Sequence, residues 1–234
     1  MIGTLCNVAG IILGGLTGLV SGRNLTPDAQ QRARLLFTAL TVITAATLVW
    51  RGLQGPFTMA LKQVAIAGLS LSVGSFLGHL LGLQRQLNRL LRWAAGTPQA
   101  KSVDAASFAT QAVVFTANPL GLIGALLEGA TGVWLPLALK AGLDALASWG
   151  FAAAGSRNVM LSVLPMAALQ GTVSLLAGAV AARFLNPAQL ASLLVIGGLL
   201  VLVLAPVIYG FQKVPLANYL PALVLAPLLT RWWI

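Results

Sequence analysis

The sequence predicts an all-α membrane protein, a polytopic bundle of about eight transmembrane helices. Three observations predict it. Hydrophobic residues make up 58% of the 234 residues and charged residues only 8%, whereas soluble domains carry about 25% charged residues. The apolar residues fall in long runs, most of them near the ~20 residues that cross a ~30 Å hydrocarbon layer. The charges lie mostly between those runs, so the outer surface has to face lipid.

The runs are bounded by charges, glycine or proline. The first three cover 4–21, 35–50 and 58–83. Next, 84–95 reads QRQLNRLLRWAA, with Leu87, Leu90, Leu91 and Ala94 on one helical face and Arg85, Arg89 and Arg92 on the other. That pattern predicts a basic amphipathic helix in the headgroup plane. The stretch 96–107, with Pro98, Lys101 and Asp104, is the most polar and reads as a linker. Five further runs follow: 108–127, interrupted at Asn118-Pro119, then 135–154, 159–182, 188–209 and 214–229. Arg231-Trp232-Trp233 closes the last as an interfacial anchor. The chain thus divides into 1–83 (three spans), 84–107 (amphipathic helix and linker) and 108–234 (five spans), together one membrane domain.

The first run has no basic residue before it and Arg23, Arg32 and Arg34 after it, the reverse of a secretory signal, so it reads as a retained span. With alternate loops on opposite sides, nine Lys and Arg residues fall on one side and four on the other. The positive-inside rule then expects both termini outside a bacterial cytoplasmic (inner) membrane. The net charge of +10 does not indicate nucleic acid. No basic patch is interleaved with exposed aromatics in a soluble segment, and contact with anionic lipid headgroups accounts for the basic residues. The lone Cys6 rules out an intrachain disulfide and reads as packing.

Two likenesses run inside the chain. Arg157…Ser162-Val163-Leu164-Pro165 matches Lys213…Asn218-Tyr219-Leu220-Pro221, so spans 5–6 and 7–8 can be related hairpins. Asn7 and Asn118 each precede a glycine by three residues and open a Gly-rich stretch. That weaker match suggests three-span units of opposite orientation, the inverted repeat with broken helices common in secondary transporters. Gly10, Gly14, Gly18 and Gly22 form one small-residue stripe, Gly74, Gly78 and Gly82 a second, and Gly121, Ala125 and Gly129 a third. Such stripes let helix backbones touch. Packing within one chain is the first expectation; a homodimer face is the second.

Few residues carry chemistry. Lys140 and Asp144 lie four apart in the fifth run, hence on one helical face. A charge at a helix centre costs about 2.5–3.5 kcal/mol on insertion scales, and Lys before Asp is the weaker order for a helical pair. The pair is either a solute, ion or proton site or a structural bridge. Ser148 extends its face. Asn7, Asn118, Gln170 and Asn218 are amides at membrane depth, three of them in runs broken by proline, where freed backbone can line a cavity. Convergence of these residues with the pair is the expected site. Glu128 reads as interfacial. His79 lacks further ligands, so no metal site is expected, and no cofactor or catalytic motif is present. The expectation is a protein that is not an enzyme.

Several motifs carry a family resemblance: Gly3-Thr4-Leu5-Cys6-Asn7, Phe115…Gly121-Leu122-Ile123-Gly124, Glu128-Gly129…Gly132, Lys140…Leu143-Asp144, Gln170-Gly171, and Val214…Ala217-Asn218-Tyr219-Leu220-Pro221-Ala222. They resemble the YqgA/YdfK-type bacterial membrane proteins over nearly the whole chain. The resemblance implies a polytopic inner-membrane protein of a family of unknown function, and it singles out Asn7, Lys140, Asp144, Gln170 and Asn218. The chain departs from the family pattern around Ala117-Asn118-Pro119. Two functions fit the residues: a transporter or channel for a small polar solute or ion, or a scaffold or regulatory subunit whose polar residues only join helices.

Overall fold

A computed structural model describes residues 1–95, 103–211 and 214–234. Every described element is a helix. Helix α1 covers Ile2–Ser21 and stops at Gly22, whose left-handed φ of 56° turns its N–H back onto the Gly18 carbonyl. Helix α2, Pro27–Gly52, starts eight residues before its apolar run, because Thr26 caps the Ala29 N–H and Pro27 suits a first turn. Helix α3 is Phe57–Leu80 and the basic amphipathic α4 is Leu83–Ala95. Helices α5 (Val103–Thr116) and α6 (Pro119–Thr131) are one broken rod, bent by 44° at Asn118-Pro119. Helix α7 is Leu135–Ala153. A 3-10 helix, Arg157–Ser162, leads into α8, Val163–Phe184. Helix α9 (Pro187–Leu202) continues into α10 (Leu204–Tyr209), and a 3-10 helix, Leu216–Tyr219, leads into α11, Ala222–Trp233.

All eight expected runs fold as helix or broken helix, yet they are not equal as membrane spans. Among the described residues, five helical stretches are long and apolar enough to cross a bilayer, six if the bent α5–α6 rod is one span. Helix α7 has the length, at 19 residues, but Lys140 and Asp144 dilute its hydropathy. Helix α11 has 12 residues, about 18 Å at the usual rise, because Pro221 and the preceding 3-10 turn delay its start. Of the expected linker, 96–102 lies outside the described residues, as do Lys101 and Lys213, while 103–107 already belong to α5.

The glycine stripes fix the directions of helix pairs. A methyl group at Gly10, Gly14 or Gly18 would strike the backbone of Ala141, Ala145 or Trp149, so α1 and α7 run parallel. Gly74 meets Ala222 and Gly78 meets Asn218, so α3 and α11 run antiparallel. Gly121 meets Gln170 and Gly129 meets Ser174, so α6 and α8 run parallel, whereas Gly52 against Ala191 and Gly198 against Val49 make α2 and α9 antiparallel. These directions are those of eight alternating passages. Most of the stripe glycines thus pack against helices of the same chain, the first expectation above.

The two internal likenesses fare differently. Both basic-to-proline stretches form a 3-10 turn that enters an α-helix. The two Asn-x2-Gly stretches do not act alike, since α1 runs unbroken through Asn7 and α6 begins after Asn118. The main apolar core gathers on α9, where Leu193, Ile196 and Leu200 pack with Leu48, Ile66 and Leu127. A smaller core of Ile11, Phe115, Val159 and Met166 lies where α1, α5 and α8 meet.

Candidate functional site

The Lys140–Asp144 pair lies on the buried face of α7. Lys140 is 0% exposed and Asp144 5%. Their helical spacing brings the ammonium onto Asp144 Oδ2. The second partner of the ammonium comes from the broken rod. Within a regular helix the Phe115 carbonyl accepts from the N–H four residues on. That residue is Pro119, which has none. The freed carbonyl accepts instead from Lys140 Nζ at 3.0 Å. The break in α5–α6 therefore supplies an oxygen that the buried lysine uses, which satisfies both residues at once.

Two amides close the site. Asn7 on α1 is fully buried; its Nδ2 donates to Gln170 Oε1 at 3.3 Å and to Met166 Sδ at 3.4 Å. The Asn7 side chain also lies beside the Asp144 carboxylate. Gln170 on α8 is fully buried too. Among the described residues, Asn7 Oδ1 and Gln170 Nε2 have no hydrogen-bond partner. Gly121 on α6 makes the room: a Cβ there would lie 2.9 Å from both Gln170 Nε2 and Lys140 Cε. Five helices thus contribute to one polar cluster, α1, α5, α6, α7 and α8.

Of the expected residues, Asn7, Lys140, Asp144 and Gln170 come together. Ser148 joins the same face but acts as glue, its Oγ donating to the Ile11 carbonyl at 2.7 Å across the α1–α7 seam. Asn118 lies at the break and caps α6, its Oδ1 accepting from the Leu120 N–H at 3.0 Å. It shapes the site only through Pro119. Asn218 lies elsewhere. Its Oδ1 accepts the Gln84 N–H at 2.9 Å, and Gln84 Oε1 accepts the Ala217 N–H at 3.2 Å. This clamp pins the start of α4 to the 3-10 helix before α11, so Asn218 is not part of the expected convergence.

Glu128, read from the sequence as interfacial, is 5% exposed and has partners within the chain. Its carboxylate accepts the Gly3 N–H at 2.5 Å and the Thr4 hydroxyl at 3.0 Å, so it holds the first turn of α1, where a negative charge is favoured. The sequence signals for these two were weak. Gln84 reads as one more polar residue of an amphipathic helix, and Glu128 as a charge at the end of a run; only the pairing of distant helices gives them partners. His79 bonds only along its own helix, with Nδ1 at 2.9 Å from the Ser75 carbonyl.

Two cavities flank α7 at Leu143. One, of about 480 Å³, lies among Arg34, Phe37, Leu146 and Ile208. The other, of about 400 Å³, lies among Gln84, Ala117, Asn118, Leu204 and Val214. Neither is lined by Lys140 or Asp144.

The chain has counterparts among known sequences over nearly its whole length. The family model described as "Protein of unknown function (DUF554)" matches residues 2–231. The chain belongs to the DUF554 family. Its relatives include the uncharacterized protein YqgA of Escherichia coli strain K12, 26% identical over 240 residues, which span 100% of this chain and 97% of that protein. The uncharacterized membrane protein YdfK of Bacillus subtilis strain 168 is 22% identical over 227 residues, covering 97% of this chain and 94% of that one. No solved structure matches. With its apolar helices, this DUF554 chain is a membrane protein, as YdfK is described to be.

Proposed function

We propose that this protein is a non-enzymatic transporter or channel for a small polar solute or ion, with its binding site at the Lys140–Asp144 cluster. One observation carries the reading. At the meeting point of five helices, a buried charge pair sits beside two fully buried amides that each leave a hydrogen-bonding atom unpaired. Buried polar atoms are ordinarily paired, and polar groups at membrane depth mark solute and ion pathways. Asp144 binds the solute or carries a proton, Lys140 balances it, and Asn7 and Gln170 coordinate. The freed Phe115 carbonyl adds the kind of oxygen that broken helices present in secondary transporters.

The bundle sits in the cytoplasmic (inner) membrane with both termini outside, in keeping with nine basic residues on one side against four. The arginines of α4 lie against anionic headgroups. A second reading, a scaffold or regulatory subunit, draws on a different observation: Lys140 and Asp144 satisfy each other and line neither flanking cavity. Reconstitution separates the two. Proteoliposomes are loaded and screened for efflux of inorganic cations, amines and amino acids. Flux that Asp144→Asn and Gln170→Ala abolish, with both variants still folded, is the expected result. No flux of any of these solutes from wild-type vesicles would favour the scaffold.

A further inference from the structure

Resting on that reading, we propose that the transported solute is a monovalent cation, either a primary ammonium or a metal ion of like charge. The Lys140 ammonium is its tethered stand-in, and the solute displaces it.

The argument starts from what the ammonium touches. Its position is a cation site built from chain elements far apart in sequence: a carboxylate oxygen of Asp144 on the same helix and the Phe115 carbonyl that Pro119 sets free. Together these oxygens take two of the three N–H donors of the buried ammonium, as they would those of any –NH3+ group held there. Asn7 lies beside the same carboxylate and carries an unpartnered acceptor on its own amide, Oδ1. Oxygens from a carboxylate, a freed carbonyl and an amide form the donor set that suits a hard monovalent cation or an –NH3+ group. Gly121 lets Lys140 and Gln170 pack directly against its backbone, where a Cβ would lie 2.9 Å from Lys140 Cε and from Gln170 Nε2.

The charges also have to balance. With Lys140 protonated, the site is neutral. If a cation takes the carboxylate and the carbonyl, a second positive charge in the same buried cluster has no partner, and an unpaired buried charge is strongly unfavourable. Lys140 therefore gives up one proton to water as one cation enters, and it takes one back as the cation leaves. The N–H bond of the ammonium breaks, its electron pair stays on Nζ, and no other bond changes. The consequence is exchange of one proton per cation.

The experiment uses the full chain purified in detergent, with radiolabelled methylammonium as the probe because it is the lysine head group without its tether. Equilibrium dialysis measures binding, and a weakly buffered pH electrode measures protons released. Wild-type protein is expected to release about one proton per methylammonium bound. Lys140→Met, which keeps the volume and removes the stand-in, is expected to bind methylammonium at least tenfold more tightly with no proton release. Asp144→Asn is expected to bind none. Sodium and potassium chloride serve as competitors that report the metal-ion alternative. If Lys140→Met is unfolded, the wild-type proton release alone decides. Saturable methylammonium, sodium or potassium binding without proton release, or no binding of any of the three, overturns the proposal. The outcome also separates this inference from the transport reading. Displacement in detergent without cation flux in proteoliposomes leaves the site standing and sinks transport; flux of a neutral or anionic solute that depends on Asp144 does the reverse.

Discussion

The α1–α7 seam and the α3–α11 seam are built by the same device and filled differently. In each, glycines four apart on one helix let a second backbone come into contact, Gly10, Gly14 and Gly18 against α7 and Gly74 and Gly78 against α11 with its 3-10 lead. In the second seam the polar content is neutral: Asn218 trades backbone hydrogen bonds with Gln84 of α4, and one hydroxyl, Ser70 Oγ on the glycine face of α3, stays unpaired. In the first the polar content is charged, shared among five helices, and leaves Asn7 Oδ1 and Gln170 Nε2 unpaired. Close packing of α3 on α11 therefore needs no ions. The ion pair of α7 is an added expense in stability that packing alone does not explain, which is why the function is sought there.

The largest test of this contrast removes one charge. Asp144→Ala leaves Lys140 buried with only a carbonyl, and should destabilise the protein by about 3–5 kcal/mol, as broken buried pairs do. Thermal unfolding in detergent would show it. The double variant Lys140→Met with Asp144→Leu should recover most of that loss. A double variant as unstable as the single one would make the pair structural and erase the difference between the seams.

A medium effect is expected on both seams alike. Gly14→Ala and Gly78→Ala each push a methyl into a backbone carbonyl, and should cost about 1–3 kcal/mol through overpacking. Parallel losses in unfolding midpoint would confirm that the two seams share one packing device. If only one responds, the seams are not equivalent in packing either.

Smaller still is the neutral clamp. Asn218→Ala and Gln84→Ala should each lose about 1 kcal/mol, the net worth of a hydrogen bond or two. Because they share partners, the double variant should lose less than the sum; a fully additive result in a double-mutant cycle would mean that the two side chains do not depend on each other.

The smallest expected change in stability is at the break. Pro119→Ala restores an N–H that can reach the Phe115 carbonyl, so helix repair offsets the lysine's lost partner to within about 1 kcal/mol. Methylammonium binding, rather than stability, is the readout there, and unchanged binding would remove the helix break from the cation site.

How much of the site was legible depended on the kind of signal each residue gives. Lys140 and Asp144 stand out in any apolar run, because lipid selects against charge. Asn7 and Gln170 were visible only as amides at membrane depth, indistinguishable from Asn218 until the helices were placed. Phe115 was not visible at all as a site residue, since its contribution is a backbone carbonyl. Its release was readable from Pro119, but its recipient lies 25 residues away. Glu128 looked like an end charge because its partners, Gly3 and Thr4, belong to a helix more than a hundred positions earlier.

What the sequence determined by itself is local and repetitive. Apolar runs of membrane length, the proline at 119, the basic face of α4 and the glycine rows each follow from residues close together in the chain; the runs all fold as helix, and five or six helical stretches among the described residues are long and apolar enough to cross a bilayer. The tertiary structure decided everything that depends on which rows meet. A glycine stripe says that some backbone comes close but not whose, and it is the pairing of α1 with α7 and of α6 with α8 that brings Asn7 and Gln170 to the charge pair while leaving Asn218 with Gln84. In a membrane, apolar helix faces are nearly interchangeable against lipid, so the partner of each helix is chosen by a few close contacts and hydrogen bonds. Those are set by three-dimensional fit, which no stretch of the chain records alone.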